Sequence, residues 1–389
     1  MNRPPFHIVE TTLREGEQFA NAHFSSAQRV QLAHMLDEFG VEYLELTSPA
    51  ASPQSARDLE VIASLGLRAK VLTHTRCHMN DVKLAVECGA QGVNMLFATS
   101  EILRRTSHGR SIDQIIAEAR EVIGWVQSQG VEVRFSCEDS FRTPMRDLIR
   151  IYSAVDELGV DRIGIADTVG IATPTQVHDV VRTLRQAVNC GIEFHGHNDC
   201  GCAVANSYSA FEGGATHLDV TVLGIGERNG ITPLSALMAR MLSIDPALVA
   251  RYRLDMLPEI DSAVARMIGM DIPFNASITS PTAFTHKAGL HTKAVIQDPN
   301  SYEIMNPATF GLNRTISMGH RLTGWNAIAE RSRELGLSLS DATLKAATQS
   351  LKARADERAM NMEEIDRMLR SLSAHPAKPC IGGACYDAQ

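Results

Sequence analysis

The residues best suited to chemistry in this chain form the run Phe-His-Gly-His-Asn-Asp at positions 194–199, which follows a short apolar segment. If the segment from Ile192 to His197 is a β-strand, side chains two residues apart lie on the same side of it, so His195 and His197 present two imidazoles to one point. Imidazole nitrogens are common ligands of divalent metal ions. One histidine could instead pack in the core while the other lies on the surface, but the polar residues that follow favour a metal site.

The N-terminal segment contains a candidate for the third ligand. We choose Glu15, because one carboxylate and two imidazoles bind a divalent cation on one face and leave positions open for water and substrate. Such a site can chelate a 2-oxo acid through its carboxylate and keto oxygens and polarise the carbonyl group. Zn, Mn, Mg and Co all suit these ligands, so the sequence predicts a divalent metal ion without identifying it.

Alternating strand and helix patterns must bring these residues together. Short apolar runs predict eight β-strands, at His7–Thr12, Tyr43–Thr47, Ala69–Thr73, Gly92–Phe97, Glu132–Ser136, Arg162–Ala166, Ile192–His195 and His217–Leu223. Amphipathic segments predict helices at Ser26–Phe39, Ala56–Leu65, Asn80–Glu87, Ser111–Gln129, Met145–Leu158, Pro174–Val188, Ala203–Glu212 and Pro233–Leu242. Serine or Thr-Pro precedes several of these helices, and glycine follows others.

Eight strand–helix units in succession are typical of a (β/α)8 TIM barrel, an α/β fold, and we predict this fold with a mostly helical C-terminal extension. The alternative is a doubly wound open sheet, but its usual Gly-x-Gly-x-x-Gly after the first strand is absent. Barrel enzymes place their chemistry at the carboxyl ends of the strands, so we interpret polar residues there as functional.

Polar side chains occur where several predicted strands end. Arg14, next to the third ligand, could hold the carbonyl oxygen of an oxo acid and the charge that develops on it, or form a salt bridge across the barrel mouth, and the two roles are compatible. Arg134, Ser136 and Thr168 suit a second, distal carboxylate, because a guanidinium and two hydroxyls can satisfy its oxygens. His74 could add to that pocket or pack at the end of the third strand.

The pattern changes after about residue 245. Residues 250–270 are predicted to be helical, residues 272–300 irregular, and residues 324–372 helical with many charges. We therefore predict a catalytic barrel over 1–245, a linker or lid region over 246–322, a helical C-terminal domain over 323–372 and a flexible tail over 373–389.

Composition limits the class of protein. The chain has 389 residues, of which 44% are hydrophobic and 21% charged, as in soluble globular proteins, and no apolar run approaches the ~18 residues that cross a bilayer. A formal net charge of −8 without a basic block argues against nucleic acid or a membrane as partner. The N-terminal residues lack the pattern of a signal peptide, which predicts a cytoplasmic protein.

The cysteines are scattered, which indicates a reducing compartment rather than a disulfide framework. Cys200 and Cys202 could be additional zinc ligands, but they lie beyond the predicted strand and we interpret them as loop thiols. Cys380 and Cys385 fall in the glycine-containing tail, where we expect disorder in preference to a redox or metal role.

Four motifs resemble those of a known family: Glu-Thr-Thr-Leu-Arg-Glu-Gly-Glu-Gln at 10–18, His-Gly-His-Asn-Asp at 195–199, Gly-Ile-Gly-Glu-Arg-Asn-Gly at 224–230 and His-Lys-Ala-Gly-Leu-His at 286–291. They are similar to the signatures of metal-dependent Claisen-condensing barrels, the family of homocitrate, isopropylmalate and citramalate synthases. Glu15 stands where isopropylmalate synthases usually carry Asp. With segments 19–21, 46–49, 73–78 and 140–142, it most resembles the homocitrate synthases, over about residues 7–322.

The resemblance implies condensation of acetyl-CoA with 2-oxoglutarate and hydrolysis of the thioester, giving homocitrate and CoA in the first step of the alpha-aminoadipate pathway to lysine. Position by position, it assigns the metal ligands Glu15, His195 and His197, the groups near the reacting carbonyl Arg14 and Gln18, and the groups around the distal carboxylate His74, Arg134, Ser136 and Thr168. It assigns His291, Glu138 and Tyr302 to the acid–base set that takes a proton from the acetyl methyl. In the family His291 and Tyr302 reach into the barrel of the other subunit, which implies a homodimer.

One position departs from the family pattern. Lysine-regulated enzymes usually carry Asp on the fourth strand, where the carboxylate helps to bind the amino group of lysine, and this chain has Asn94. A neutral amide holds an ammonium less well than a carboxylate does, so we predict weak feedback by lysine. The departure also leaves room for a role outside lysine synthesis, such as supplying homocitrate for a nitrogenase cofactor.

Other functions remain as alternatives. The same chemistry on another oxo acid would give isopropylmalate or citramalate, but Arg134 and His74 favour a substrate with a second carboxylate. The reverse cleavage, as in acyl-CoA lyases or metal-dependent aldolases, is a second alternative, and the region that carries His291 favours a synthase. A non-catalytic binding protein is the third, and the intact set of ligands and acid–base residues argues against it.

Overall fold

The computed structural model describes residues 5–374, and its main feature is a closed barrel of eight parallel β-strands. The strands are β1 His7–Glu10, β2 Tyr43–Leu46, β3 Lys70–Arg76, β4 Gly92–Ala98, β5 Glu132–Glu138, β6 Arg162–Asp167, β7 Gly191–Gly196 and β8 His217–Val220. Strands adjacent in sequence are adjacent in the barrel, and β8 closes it against β1, with His7 opposite His217. The predicted TIM barrel is confirmed.

Helices alternate with these strands and continue beyond them. Those of the barrel part are α1 Ser26–Phe39, α2 Pro53–Ala63, α3 Met79–Glu87, α4 Glu101–Ser107, α5 Ile112–Ser128, α6 Met145–Asp156, α7 Pro174–Ala187, α8 Ala203–Gly213, α9 Leu234–Ile244 and α10 Leu257–Ile268. The later ones are α11 Gly289–Gln297, α12 Trp325–Glu334, α13 Asp341–Ala355 and α14 Met362–Ala374. Among residues 5–374, no helix is long and apolar enough to span a bilayer.

All eight predicted strands are present, but four of them, β1, β3, β5 and β8, end two or three residues away from the predicted position. Strand β5 continues to Glu138, because its pairing with β4 extends to Ala98. Strand β1 ends at Glu10 because the next residues form a tight turn around the Thr11 carbonyl, which accepts the Glu15 N–H at 2.7 Å. Strand β8 ends at Val220, since Leu223 has φ 58 and cannot continue a strand. Strand β3 runs to Arg76, because its pairing with β4 extends that far.

The predicted helix starts are partly correct. Ser25 caps α1 in a reciprocal arrangement with Gln28, and Thr173 caps α7 with Gln176. In contrast, the Thr232 hydroxyl donates to the Ala203 carbonyl, so α9 begins without a side-chain cap. Helix α4 was not predicted.

Charged side chains are paired inside the barrel, below its carboxyl end. Glu193 on β7 is fully buried and lies 2.9 Å from Arg134 Nε and 2.9 Å from Arg162 Nε. Arg162 also pairs with Glu132. Charges this deeply buried are stable only when they are paired. This network therefore links β5, β6 and β7 from the inside and supports the residues above it.

The chain forms two compact units, residues 5–283 with 309–311 and residues 284–308 with 312–374. The second unit contains two short paired strands, β9 Thr285–His286 and β10 Thr315–Ile316. It has its own apolar core, formed by Ile328, Leu344, Leu351, Ala355, Met360, Ile365 and Leu369. Most of the predicted tail, including Cys380 and Cys385, lies outside the described residues, and the six cysteines within them are free thiols.

Candidate active site

A cavity of about 270 Å³ opens at the carboxyl end of the barrel. Ten of the residues singled out in the sequence line it: Arg14, Glu15, Gln18, His74, Arg134, Ser136, Glu138, Thr168, His195 and His197. They come from β1, β3, β5, β6 and β7 or the loops that directly follow these strands. Side chains that are up to 183 positions apart in sequence, from residue 14 to residue 197, thus share one cavity.

Three of these residues, Glu15, His195 and His197, could hold a metal ion. One ligand atom from each lies within 4.8 Å of the others. His195 Nε2 is 3.3 Å from His197 Nε2 and 3.8 Å from Glu15 Oε2. Ligands about 2.1 Å from one ion lie about 3 Å apart when adjacent, so these separations fit a divalent cation after small side-chain movements.

The protonation states of the three side chains suit metal binding. Burial, aided by nearby positive charge, lowers the pKa of His195 to about 4, and burial lowers the pKa of His197 to about 4. Both imidazoles are therefore neutral at pH 7 and offer a lone pair. Burial opposes ionisation of Glu15, but the positive charge of Arg14 holds its pKa below the ordinary value. Glu15 is therefore anionic and can serve as a metal ligand.

Two contacts orient the ligands. His195 Nδ1 lies 2.8 Å from Asp219 Oδ2 on β8, so Nδ1–H donates to the carboxylate and the lone pair is at Nε2. The Glu227 backbone N–H donates to Glu15 Oε1 at 2.8 Å. The sequence analysis did not select Asp219, although a carboxylate within the apolar strand His-Leu-Asp-Val was a usable signal.

Arg14 contacts several polar groups of the cavity. Its Nη1 donates to Glu15 Oε2, and its Nη2 lies 3.2 Å from His74 Nε2. Its Nε is 4.0 Å from the Glu45 carboxylate. The salt bridge considered for Arg14 is therefore present, and the side chain remains part of the cavity wall beside the ligand set.

Glu45 on β2 organises one side of the cavity, and the sequence analysis did not name it as a site residue. Its carboxylate accepts hydrogen bonds from Thr11 Oγ1 at 2.6 Å and from Asn94 Nδ2 at 2.6 Å, and His74 Nδ1 lies 3.3 Å away. Burial opposes ionisation, but His74 and the nearby charges of Arg14 and Arg134 keep the pKa of Glu45 well below its ordinary value. Asn94 is thus held by Glu45 and is fully buried.

The four residues assigned to a distal carboxylate also share the cavity. Ser136 Oγ donates to the Gly164 carbonyl at 3.0 Å, and Thr168 Oγ1 accepts the Asp139 N–H at 2.8 Å. Arg134 lies between Glu193 and Asp219. Burial raises the pKa of Glu193 to about 8, and the charges of Arg134 and Arg162 oppose this shift. The cavity therefore contains a buried cation near two hydroxyl groups.

The remaining candidates lie in both units. Glu138 ends β5 and lines the cavity, and burial together with the neighbouring Asp139 charge raises its pKa. Gln18 lines the cavity from a short turn after β1. His291 lies on α11 of the second unit, where its ring stacks on Tyr302 with centroids 4.1 Å apart.

A TIM barrel with a buried Glu-His-His set at the carboxyl end of its strands is typical of metal-dependent barrel enzymes. Residues 5–264 match the family model described as HMGL-like, and residues 278–359 match the one described as homocitrate synthase post-HMGL domain-like. The chain therefore belongs to the HMGL-like family and, within it, to the group of homocitrate synthases.

Known relatives are similar over nearly the whole chain. The mitochondrial homocitrate synthase of Schizosaccharomyces pombe is 54% identical over 370 residues, which cover 95% of this chain and 88% of that protein. The cytosolic isozyme of Saccharomyces cerevisiae is 51% identical, with 97% of this chain and 88% of that protein covered. The HMG-CoA lyase of Bacillus subtilis has the same fold, with a TM-score of 0.62 at 21% identity over 70% of this chain and 97% of that one.

Proposed function

We propose that this chain is a homocitrate synthase, an acyltransferase that condenses acetyl-CoA with 2-oxoglutarate and water to give homocitrate and CoA. The observation that carries the proposal is the 54% identity to a homocitrate synthase over 95% of the chain. The cavity supports it, because a metal-binding triad and a buried guanidinium share a space of about 270 Å³. 2-Oxoglutarate is a five-carbon oxo acid with a carboxylate at each end, so one end can bind at the metal-binding triad and the other at the guanidinium.

Glu15, His195 and His197 would hold the divalent metal ion. When bound, the ion supplies Lewis-acid polarisation of the 2-oxo carbonyl. Zn, Mn, Mg and Co remain the candidates, since neutral imidazoles and a carboxylate accept all of them. Arg14 and Gln18 are the protein groups beside the reacting carbonyl. The Arg14 guanidinium is placed to stabilise negative charge that develops on the carbonyl oxygen.

The far end of 2-oxoglutarate would be held by His74, Arg134, Ser136 and Thr168. A guanidinium and hydroxyl groups can replace the water around a carboxylate. An aliphatic oxo acid would place an apolar group against the buried guanidinium of Arg134 and would not replace the water around it, which is costly. This argument favours 2-oxoglutarate over the substrates of isopropylmalate and citramalate synthases.

The acetyl methyl must lose a proton before the carbon–carbon bond forms. We assign this step to Glu138, His291 and Tyr302, with the proton passing from carbon to one of these groups. The enolate carbon then attacks the 2-oxo carbon, and the carbonyl oxygen takes up the proton that left the methyl group to become the hydroxyl of homocitryl-CoA. Water then cleaves the thioester and releases CoA. The raised pKa of Glu138 supports its part in the step, because it makes the carboxylate a better base.

We also infer a homodimer in which His291 and Tyr302 act in the barrel of the partner subunit. The surface around these residues supports association, because Leu290 is 72% exposed and Ile304 is 84% exposed. Large apolar side chains so exposed are typical of contact surfaces. The cytoplasmic location stays a prediction, since relatives include both cytosolic and mitochondrial forms.

Free-CoA release tests the proposal. Purified protein receives acetyl-CoA with 2-oxoglutarate, 2-oxoisovalerate, pyruvate or oxaloacetate, each with and without chelator. We expect release with 2-oxoglutarate alone, abolished by chelator and restored by added metal. Preference for another oxo acid would overturn the interpretation of Arg134 and His74, and no release with any of them would contradict the proposed function.

Glu15→Gln and Arg134→Met separate the two ends of the site. The first variant should lose CoA release at all 2-oxoglutarate concentrations, because it removes the proposed anionic metal ligand. The second should lose activity with 2-oxoglutarate chiefly through a higher KM, since it removes the distal cation. Arg146→Met is the matched control, because Arg146 is 86% exposed and does not line the cavity.

A further inference from the structure

Asp139, which directly follows Glu138, has an unusual backbone conformation. Its φ of 62 and ψ of 45 lie in the left-handed region, which few residues other than glycine adopt and which Asn and Asp tolerate best. Its side chain is only 1% exposed. Backbone strain of this kind persists where surrounding contacts enforce it, and it concentrates at functional sites. The chain therefore bends sharply at the end of β5, next to a residue of the cavity wall.

Contacts from three directions hold this conformation. The Asp139 N–H donates to Thr168 Oγ1 at 2.8 Å, which ties it to the end of β6. Its carboxylate accepts the Ser100 hydroxyl from the loop after β4 and Arg142 Nε at 2.8 and 2.9 Å. Its carbonyl accepts Thr143 Oγ1 at 2.9 Å. Contacts with the segments that follow β4 and β6, the two strands beside β5, thus determine the direction of the chain at Glu138.

The charge on Asp139 is neutralised only in part. Arg142, its cationic partner, is 36% exposed and therefore shared with solvent. The other charged or titratable side chains that line the same cavity as Glu138 are Arg14, Glu15, Glu45, His74, Arg134, His195, His197, Asp219, Glu227 and Arg228. Of these, Arg14 favours the ionised form of Glu138, and Asp139 opposes it.

We propose that Asp139 is a positioning residue that directs Glu138 into the cavity and, through its buried negative charge, keeps the Glu138 carboxylate strongly basic. This inference rests on the proposed role of Glu138 in taking a proton from the acetyl methyl. A carboxylate that binds a proton more tightly removes one from carbon more readily. The raised pKa of Glu138, due to burial first and to Asp139 second, agrees with this role.

A pair of variants tests the inference by the direction of a pH shift. Asp139→Asn keeps the size of the side chain and its tolerance of the left-handed conformation, but removes the charge. In the pH profile of kcat/KM for acetyl-CoA, the acidic limb is the region where the rate falls as the base becomes protonated. In Asp139→Asn this limb should move to lower pH by about one unit. Arg142→Gln leaves the Asp139 charge without its partner, so the same limb should move to higher pH. Glu138→Gln should remove the limb, which assigns it to Glu138.

Shifts of opposite sign in Asp139→Asn and Arg142→Gln would show that Asp139 controls the basicity of Glu138. A purely structural role would lower kcat in both variants without moving the acidic limb. Unmoved limbs in the two charge variants, or a limb that survives in Glu138→Gln, would overturn the inference. If Asp139→Asn does not fold, the result for Arg142→Gln alone decides, because its acidic limb must move to higher pH. The parent enzyme is measured in parallel, and a parent without 2-oxoglutarate-dependent CoA release would contradict the proposed function instead.

Discussion

At the scale of single residues, Asp219 determines how His195, a candidate metal ligand, is oriented. Its carboxylate accepts the His195 Nδ1–H at 2.8 Å and leaves Nε2 free for a metal ion. We expect Asp219→Ala to lower metal affinity about 10- to 100-fold, because such partners fix the tautomer and orientation of the imidazole. Competition with a chromophoric chelator measures the change.

Asp219→Asn is the matched control for this prediction. The amide oxygen can still accept from Nδ1, so the loss of affinity should be smaller than in the alanine variant. Equal affinity of parent and Asp219→Ala, with the fold intact by circular dichroism, would show that the contact does not matter for metal binding.

Asn94 should set the response to lysine. Its Nδ2 donates to Glu45 Oε1 at 2.6 Å, so it places an amide where lysine-regulated enzymes have a carboxylate. We expect weak inhibition of the parent by lysine. Asn94→Asp should bind lysine at least about tenfold more tightly, since a carboxylate attracts an ammonium and an amide does not. Inhibition curves at several 2-oxoglutarate concentrations test this.

The control is Asn94→Ala, which removes the amide without adding charge and should not gain affinity for lysine. Tight, substrate-competitive inhibition of the parent would contradict the prediction. It would also remove the reason for considering a role outside lysine synthesis, such as the supply of homocitrate for a nitrogenase cofactor.

At the scale of elements, the loop after β8 contacts the candidate metal-binding residues. Its Glu227 N–H binds Glu15, and Gly230 accepts the Asn198 N–H at 2.9 Å. Gly230 has φ +69, and a Cβ there would lie 1.8 Å from the Gly224 carbonyl oxygen. We therefore expect Gly230→Ala to displace the loop and lower both metal affinity and kcat about tenfold or more.

Gly201→Ala is the matched control for the loop, because Gly201 also has a positive φ, +73, but a Cβ there would meet nothing within 4 Å. It should lower the unfolding midpoint slightly and leave metal affinity unchanged. If both variants lose metal affinity to the same extent, backbone strain rather than the close approach to Gly224 is responsible.

At the scale of the whole molecule, buried carboxyl groups should make stability fall as pH rises from 7 to 8. Burial raises the pKa of Glu193 to about 8 and that of Glu10 to about 7. A raised pKa means that the folded protein binds protons that the unfolded chain has already lost, and this advantage disappears as pH passes the folded value. The buried histidines, with lowered pKa values, mainly affect stability below pH 6.5, with the opposite sign.

We therefore expect the free energy of unfolding of the metal-free protein to fall by about 1 kcal/mol between pH 7 and pH 8. Glu193→Gln should flatten this dependence, whatever its effect on absolute stability. Glu38→Gln, at a carboxylate that is 63% exposed, should leave the slope unchanged. Urea unfolding at fixed pH values measures the slopes, and a parent slope of zero would contradict the assignment.

The sequence by itself determined the eight strands, the barrel and the three residues able to bind metal. The reason is that strand periodicity places residues two apart on one side, and barrel topology brings all strand ends to one mouth. Only the tertiary structure revealed Asp219, Glu45 and Asp139, which act through contacts with other strands. It also showed that Arg134 is paired below the cavity, because burial and pairing depend on side chains distant in sequence. Local pattern predicts which way a side chain points, but not what it meets there.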